Sequence, residues 1–343
     1  MEPLEFIDVS VLDRVVSARR AIGFVCLGLG TAALLDSGPL LNAASSLPNP
    51  ERGVVRAVAS PLDSFAKSMG LDQPRRGLLS LLGRPADSAP SELLAPPAPP
   101  ATAVSVVATH APNLAANPKP LTQLPPLAPG TKAHPLRVLV TGDSLSQYLG
   151  QQIIDMTARS GTIVGKVSVH NGTGLARPDV FDWARGARVA IGQSRPSVVV
   201  VALGANDDQG IALPGPRAVQ PGTPEWGAEY QRRAEIVMRI MVEHGKRRVY
   251  WMGLPVVRDK ARDARYRQLN QALRAAAASI PGVHFVDTRP LSLVQGRFSD
   301  YLYANGHRVL AREPDGVHFT YEGSRFPAEK VLETAAPDLH YPH

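Results

Sequence analysis

Four short blocks of this chain carry the side chains needed to move an acyl group. They are Gly142-Asp143-Ser144-Leu145, Asn171-Gly172-Thr173-Gly174, Gly204-Ala205-Asn206-Asp207 and Asp315-Gly316-Val317-His318. Ser144 offers a hydroxyl nucleophile and His318 a base. Asp315 can orient that base, and Asn206 with the glycine N–H groups can hold an oxyanion. Acyl transfer from an ester needs these four functions. A serine hydroxyl attacks only once a base takes its proton, so Ser144 means little without His318. Asp315 and His318 lie three residues apart across a glycine. One turn at that spacing lets the carboxylate hold Nδ1–H while Nε2 faces the serine. Taken singly, each block also reads as an ordinary turn, with Ser144 or Asp315 capping a helix and His318 a packed imidazole. His307 is the nearest competitor for the base.

The elements that position these residues follow from apolar periodicity. Leu136 to Val140 is a short run rich in β-branched residues, and Leu145, Leu149, Ile153 and Met156 then recur at helical spacing up to Arg159. The reading is strand, tight turn, helix, with Ser144 where free N–H groups favour negative charge. Ser197 to Leu203 is an apolar run expected of a central parallel strand buried on both faces. Asn206 follows at its carboxyl end, where open α/β sheets bind their ligands. Ile163 to Val169, Arg248 to Met252 and Val283 to Val286 complete five expected strands. Glu225 to His244, Arg262 to Ser279 and Tyr321 to Leu332 read as further helices. Strands alternating with helices argue an α/β fold with a five-stranded parallel sheet.

On these four blocks, over about residues 136–335, the chain resembles the SGNH hydrolases, the GDSL esterase/lipase superfamily. The segments around Trp251-Met252-Gly253-Leu254-Pro255 and Arg312 to Thr320 look like a membrane-anchored bacterial branch of it. The resemblance implies a flavodoxin-like three-layer α/β/α sandwich. It implies that Ser144 is the nucleophile, His318 the base and Asp315 its orienting acid. The oxyanion hole would be the Ser144 N–H, the Gly174 N–H and the Asn206 side chain, with Gly172 as the alternative to Gly174. It implies no cofactor. Asp207 and Asp208 receive no chemical role, so Asp207→Asn is expected to be mild unless that side chain supports its loop.

Upstream the character changes. Residues 1–20, ending in Arg19 and Arg20, read as a cytoplasmic N-terminus. Ala21 to Leu35 then carries fifteen residues without charge. At the helical rise that run spans roughly 22 Å, short of a ~30 Å hydrocarbon core, so it must recruit flanking residues to cross a membrane. A signal peptide and a signal anchor over 21–41 both stay open, with a buried soluble helix as the plain alternative. Leu41-Asn42-Ala43-Ala44-Ser45 is a weak cleavage site, which favours an uncleaved single-pass anchor with everything after it outside the cytoplasm. Secretion is the alternative. Residues 42–135 read as a connector, helix-like in places and dominated by Pro and Ala from Pro85 onward, which makes it a spacer. Residues 336–343 read as a tail.

The single cysteine, Cys26, lies in the apolar run, so the outer domain must be held by packing alone. No Cys/His spacing suggests a metal. The net charge is +7, and Arg258 to Arg274 holds its densest stretch. Without a nucleic-acid motif beside it, nucleic-acid binding is rejected, and solvated helix surface is the simpler reading. The expected substrate is an acylated envelope glycan or lipid, handled by a monomer. Hydrolysis, transfer of the acyl group to a sugar hydroxyl, and a non-catalytic anchored scaffold are the three readings of function.

Overall fold

The computed structural model describes residues 91–95, 124–213 and 217–341. The apolar run Ala21 to Leu35, and with it the expected anchor or signal peptide, lies outside the described residues. Among the described residues, no helix is long and apolar enough to cross a membrane.

Five parallel strands form one sheet in the order β2-β1-β3-β6-β7. They are β1 (Leu136–Gly142), β2 (Ile163–Val169), β3 (Val198–Ala202), β6 (Arg248–Met252) and β7 (Val283–Val286). Strand β3 reads Val-Val-Val-Val-Ala and β6 Arg-Val-Tyr-Trp-Met, and every residue of both is buried. That is the pattern of strands covered on both faces. The edge strand β2 is exposed through much of its length. Two-stranded pieces decorate the loops: β4 (Ile211–Ala212) with β5 (Ala218–Val219), β8 (Leu293–Val294) with β9 (Arg297–Phe298), and β10 (Tyr301–Ala304) with β11 (His307–Leu310).

Helices close both faces. On one side α1 (Ser146–Ala158) lies on β1 and β2, beside α5 (Arg325–Leu339) on β3, β6 and β7. On the other, α2 (Trp183–Ser194), α3 (Pro224–Val242) and α4 (Lys260–Ala278) pack in sequence. The layers are therefore α/β/α. Trp183, Trp226 and Trp251 are fully buried in the core between them. Short polar residues begin these helices where free N–H groups need acceptors. Asp182 caps α2, Thr223 caps α3 with Pro224 at its first turn, and Asp259 caps α4.

Register decides where the chemistry can be. Gly142 ends β1 level with both Val169 of β2 and Ala202 of β3. Three turns therefore leave the sheet at one height, and they carry Ser144, Gly174 and Asn206. Gly142 is needed for that closeness: its φ is +149°, and a Cβ there would sit 1.8 Å from the Ala202 carbonyl oxygen.

Three readings of the sequence change. The last helix begins at Arg325 rather than Tyr321; in the turn before it Gly323 N donates to Thr320 Oγ1 at 2.9 Å, and a Cβ on Gly323 would lie 2.1 Å from the Ala311 carbonyl oxygen. The helix runs on to Leu339, so much of the expected tail is structural. Asp338 is buried there and accepts hydrogen bonds from Tyr250 Oη at 2.5 Å and Leu127 N at 3.1 Å. Parts of the expected spacer also dock on the domain. Leu93 is fully buried and its carbonyl accepts from Arg232 at 2.5 Å, while the Leu127 carbonyl is 2.6 Å from His340 Nε2. Helix α2 lies in a stretch with no expected element.

Candidate active site

Ser144 stands in the turn between β1 and α1, partly exposed. Its Oγ lies 2.7 Å from His318 Nε2, and His318 Nδ1 lies 2.5 Å from Asp315 Oδ2. Asp315 divides its work between two oxygens. Oδ1 accepts from the Val317 and His318 backbone N–H groups at 2.8 and 3.0 Å, which shapes the turn, and Oδ2 is left for the ring. Burial pushes this carboxyl up, but the hydrogen bonds from His318 and Val317 outweigh it and hold Asp315 below the usual carboxylate range. His307 sits in the β10–β11 hairpin, on β11, and is not among the groups bonded to Ser144.

Asn206 meets the second block directly: its Nδ2 donates to the Thr173 carbonyl at 2.9 Å, next to Gly174. The N–H groups of Ser144 and Gly174 have no acceptor among the described residues. Gly172 and Gly174 differ in kind. Gly172 has φ +71° and open space where a Cβ would be, so its glycine serves the backbone bend. A Cβ on Gly174 would stand 2.0 Å from Asp207 Oδ1, so its glycine serves a close approach to that carboxylate.

Two buried aspartates hold the three turns together. Asp143 Oδ1 accepts from Leu145 N at 2.9 Å, and Oδ2 accepts from Gly204 and Ala205 N, both at 2.8 Å. Asp207 takes N–H groups of Leu175 and Ala176 at 2.9 and 2.8 Å, and the Tyr230 hydroxyl at 3.0 Å. The first joins block one to block three, and the second joins block three to block two. Asp207 does support the loop, which is the condition under which Asp207→Asn is expected to be more than mild. Burial pushes Asp143 up to about 6 against its backbone donors, with Asp207 adding to the rise. Burial raises Asp207 as well. Behind them, fully buried Arg233 donates to the Leu175 carbonyl at 2.8 Å and pairs with Glu229 at 2.8 Å.

A second support lies under the Asp315–His318 turn. Arg312 is buried and donates to the carbonyls of Val317 and Val256 at 2.8 and 2.9 Å. Arg258 donates to the Pro314 carbonyl at 2.6 Å and to Asp300. Arg258 opens the basic stretch read as solvated helix surface, and nothing in the spacing of Arg258 and Arg312 marks them as supports of this turn. Beside Ser144 and His318, a cleft of about 220 Å³ is lined by Leu145, Gln147, Tyr148, Glu313, Phe319 and Ser324. Among the described residues, no cluster of His, Cys, Asp and Glu is arranged to hold a metal.

An α/β/α sheet with these four blocks along one edge is the architecture of an SGNH-hydrolase-like protein. Residues 137–334, more than half the chain, match the family described as "Protein of unknown function (DUF459)", and the chain belongs to that family. No curated protein matches the sequence. Solved structures similar to this one include an acetyl esterase S10A mutant with acetate ion, at 14% identity over 58% of this chain and 95% of that one, with a TM-score of 0.41. A carbohydrate esterase family 3 protein from Talaromyces cellulolyticus is similar at 14% identity, over 58% of this chain and 95% of that one, with a TM-score of 0.41. The lipopolysaccharide acetyltransferase periplasmic domain of Salmonella ser. Paratyphi A is similar at 12% identity, over 58% of this chain and 83% of that one, with a TM-score of 0.41.

The buried position of Asp143 sets a pH signature. Its folded value, about 6, lies above the ordinary 3.8. The stability it contributes is therefore fully present below the ordinary value and lost as pH rises through the folded one. Asp143→Asn removes that component and leaves one backbone donor unmatched, since an amide offers a single acceptor oxygen. Thermal midpoints of both proteins should differ most at about pH 4, and the deficit should shrink towards about pH 7. A deficit that widens with rising pH would contradict this placement of the charge.

Proposed function

We propose that this chain is an extracytoplasmic serine ester hydrolase that removes an acyl group, acetyl foremost, from an acylated glycan or lipid of the cell envelope. The observation that carries the reading is the relay Ser144 Oγ–His318 Nε2–Asp315, at 2.7 and 2.5 Å, beside two unpaired N–H groups and the Asn206 amide. A hydroxyl, an imidazole and a carboxylate in that order turn a poor nucleophile into a competent one.

In this mechanism His318 Nε2 takes the Ser144 proton as Oγ attacks the ester carbonyl. The tetrahedral oxyanion is held by the N–H groups of Ser144 and Gly174 and by Asn206 Nδ2. Preorganised donors of that kind stabilise developing charge more than the ground-state carbonyl. Asp315 keeps the ring in the tautomer that can accept at Nε2, and stabilises the imidazolium that results. His318 then protonates the departing alcohol, leaving acyl-Ser144. Water, deprotonated by the same ring, releases the acid. Capture of the acyl group by a sugar hydroxyl would use the same residues, so an assay with added acceptor separates transfer from hydrolysis. Membrane attachment through Ala21 to Leu35 belongs to the same proposal and is supported by the uncharged run behind Arg19 and Arg20.

Three measurements test this reading. Purified protein should hydrolyse p-nitrophenyl acetate, and Ser144→Ala should cut turnover by roughly 10³-fold or more while keeping the thermal midpoint. Full turnover in that variant would end the serine mechanism. Asn206→Ala should lower kcat by roughly 10²–10³ with little change in KM. Its lost bond to Thr173 should cost only about 1 kcal/mol. If activity falls only in step with stability, Asn206 shapes a turn and holds no oxyanion. Finally, cell fractionation and protease protection should find the domain outside the cytoplasm, and a soluble cytoplasmic protein would refute the location.

A further inference from the structure

The chain carries a net charge of +7, yet the cleft beside Ser144 holds an unpaired carboxylate. Glu313 lines that cleft, half-buried, two residues before Asp315. Its backbone is fixed: N donates to the His318 carbonyl at 2.9 Å, and its carbonyl accepts from Gly316 N at 2.9 Å. Its side chain makes no hydrogen bond or ion pair among the described residues, and apart from His318 no basic residue lines the cleft. Other acidic side chains near the site are engaged. Asp315 bonds His318, Asp143 and Asp207 bond backbone N–H groups, and Asp208 pairs with Arg262 and Arg265. A half-buried carboxylate with no protein donor, on the wall of a cleft, is free to accept hydrogen bonds from a ligand in that cleft.

The wall beside it favours one kind of donor. Tyr148 lines the same cleft and meets Tyr321 edge to face, ring centres 6.0 Å apart, while the Tyr321 hydroxyl is anchored to Asp155 at 2.6 Å. Gln147 and Ser324 add an amide and a hydroxyl. A flat aromatic ring fixed beside a bare carboxylate and two neutral polar groups suits a sugar ring. Its C–H face packs on the tyrosine, and its hydroxyls donate to the carboxylate. A long acyl chain gains nothing from a carboxylate, and an anionic sugar is repelled by one.

We propose that Glu313 is the specificity-determining residue of this cleft. Resting on the esterase reading above, it accepts hydrogen bonds from free hydroxyls of a neutral sugar whose neighbouring hydroxyl bears the scissile ester. The substrate class is thereby a neutral O-acyl glycan, and lipid esters and acidic glycans are selected against.

The test compares native protein with Glu313→Gln, which keeps the side chain's shape and both backbone hydrogen bonds. An O-acetylated methyl glucoside, its glucuronoside counterpart and p-nitrophenyl acetate serve as esters. The ratio of kcat/KM for the glucoside ester to that for p-nitrophenyl acetate should fall roughly ten- to a hundredfold in Glu313→Gln. The native preference for glucoside over glucuronoside should narrow. A ratio within about twofold of native overturns the proposal, since a charged hydrogen bond would cost more. An equal fall on all three esters also overturns it, because Glu313 would then act by holding the catalytic turn. Failure of the esterase reading shows separately, as no turnover of any ester by native protein. Titration of methyl glucoside into full-length protein, read by calorimetry, then decides: binding weakened in Glu313→Gln sustains the sugar site. No native binding, or binding unchanged in the variant, removes it.

Discussion

A carboxylate stripped of water must be fully hydrogen-bonded, or the fold that buries it does not hold. Asp143 meets that demand with three backbone N–H groups drawn from two strands' ends. Asp207 meets it with two more and a tyrosine hydroxyl. Neither side chain is charged for reactivity. Each is a junction: its need for donors pulls separate turns to fixed distances. The sheet register brings those turns level, and the aspartates then set their spacing sideways. Gly174 belongs to the same constraint, since any side chain there would collide with Asp207. The unpaired N–H groups of Ser144 and Gly174 are what remains after these internal demands are met.

Placing two carboxylates so close together is unfavourable, and the structure offsets it in layers. Arg233, fully buried, lies behind Asp207 with Glu229 as its ion-pair partner and loop carbonyls as its remaining acceptors. Tyr230 donates to Asp207, and its own hydroxyl is pushed far above its ordinary value by burial and by that carboxylate. The raised value of Asp143 shows that compensation is partial. The interior supports negative charge poorly, while the N–H groups of Ser144 and Gly174 have no acceptor among the described residues. Internal carboxylates use up some donors and leave others, and that division gives the site its polarity.

Some of this was legible in the residues alone. Ser144, Asp315, His318 and Asn206 sit in short turns whose residue types announce them, and strands such as Val198–Ala202 are apolar without interruption. Local signals sufficed because a turn and its neighbouring strand lie within a few residues of each other. What stayed hidden depends on partners far along the chain. Asp207 reaches back to Leu175 and Ala176 across more than thirty residues, with separations of 32 and 31. Leu127 meets Asp338 across 211 residues, which is why a proline-rich stretch read as spacer ends docked on the domain. Helix α2 has a weak apolar signal although Asp182 caps it, because the face it buries rests largely on small residues, Ala184, Ala187 and Ser194, beside Trp183 and Ile191.

The turn bearing Asp315 and His318 raises the remaining physical question, why an arginine is buried beneath it without a carboxylate partner. Arg312 is nearly inaccessible, its Nε finds no acceptor, and burial pulls it down to about 9. A buried cation of that kind is costly unless its geometry does work. Its two terminal nitrogens hold the carbonyls of Val317 and Val256, and its guanidinium lies 3.7 Å over the Phe319 ring. Both neighbours of His318 in sequence are thereby fixed from below by one side chain. Arg258 grips the other end of the turn through the carbonyls of Pro314 and Gly316. Because the arginines hold the backbone, Asp315 can spare a whole oxygen for the imidazole. His318 is left to make only the two side-chain bonds that a relay requires. The backbone of this turn is held at both ends by arginine, and within it the Glu313 side chain makes no hydrogen bond or ion pair among the described residues.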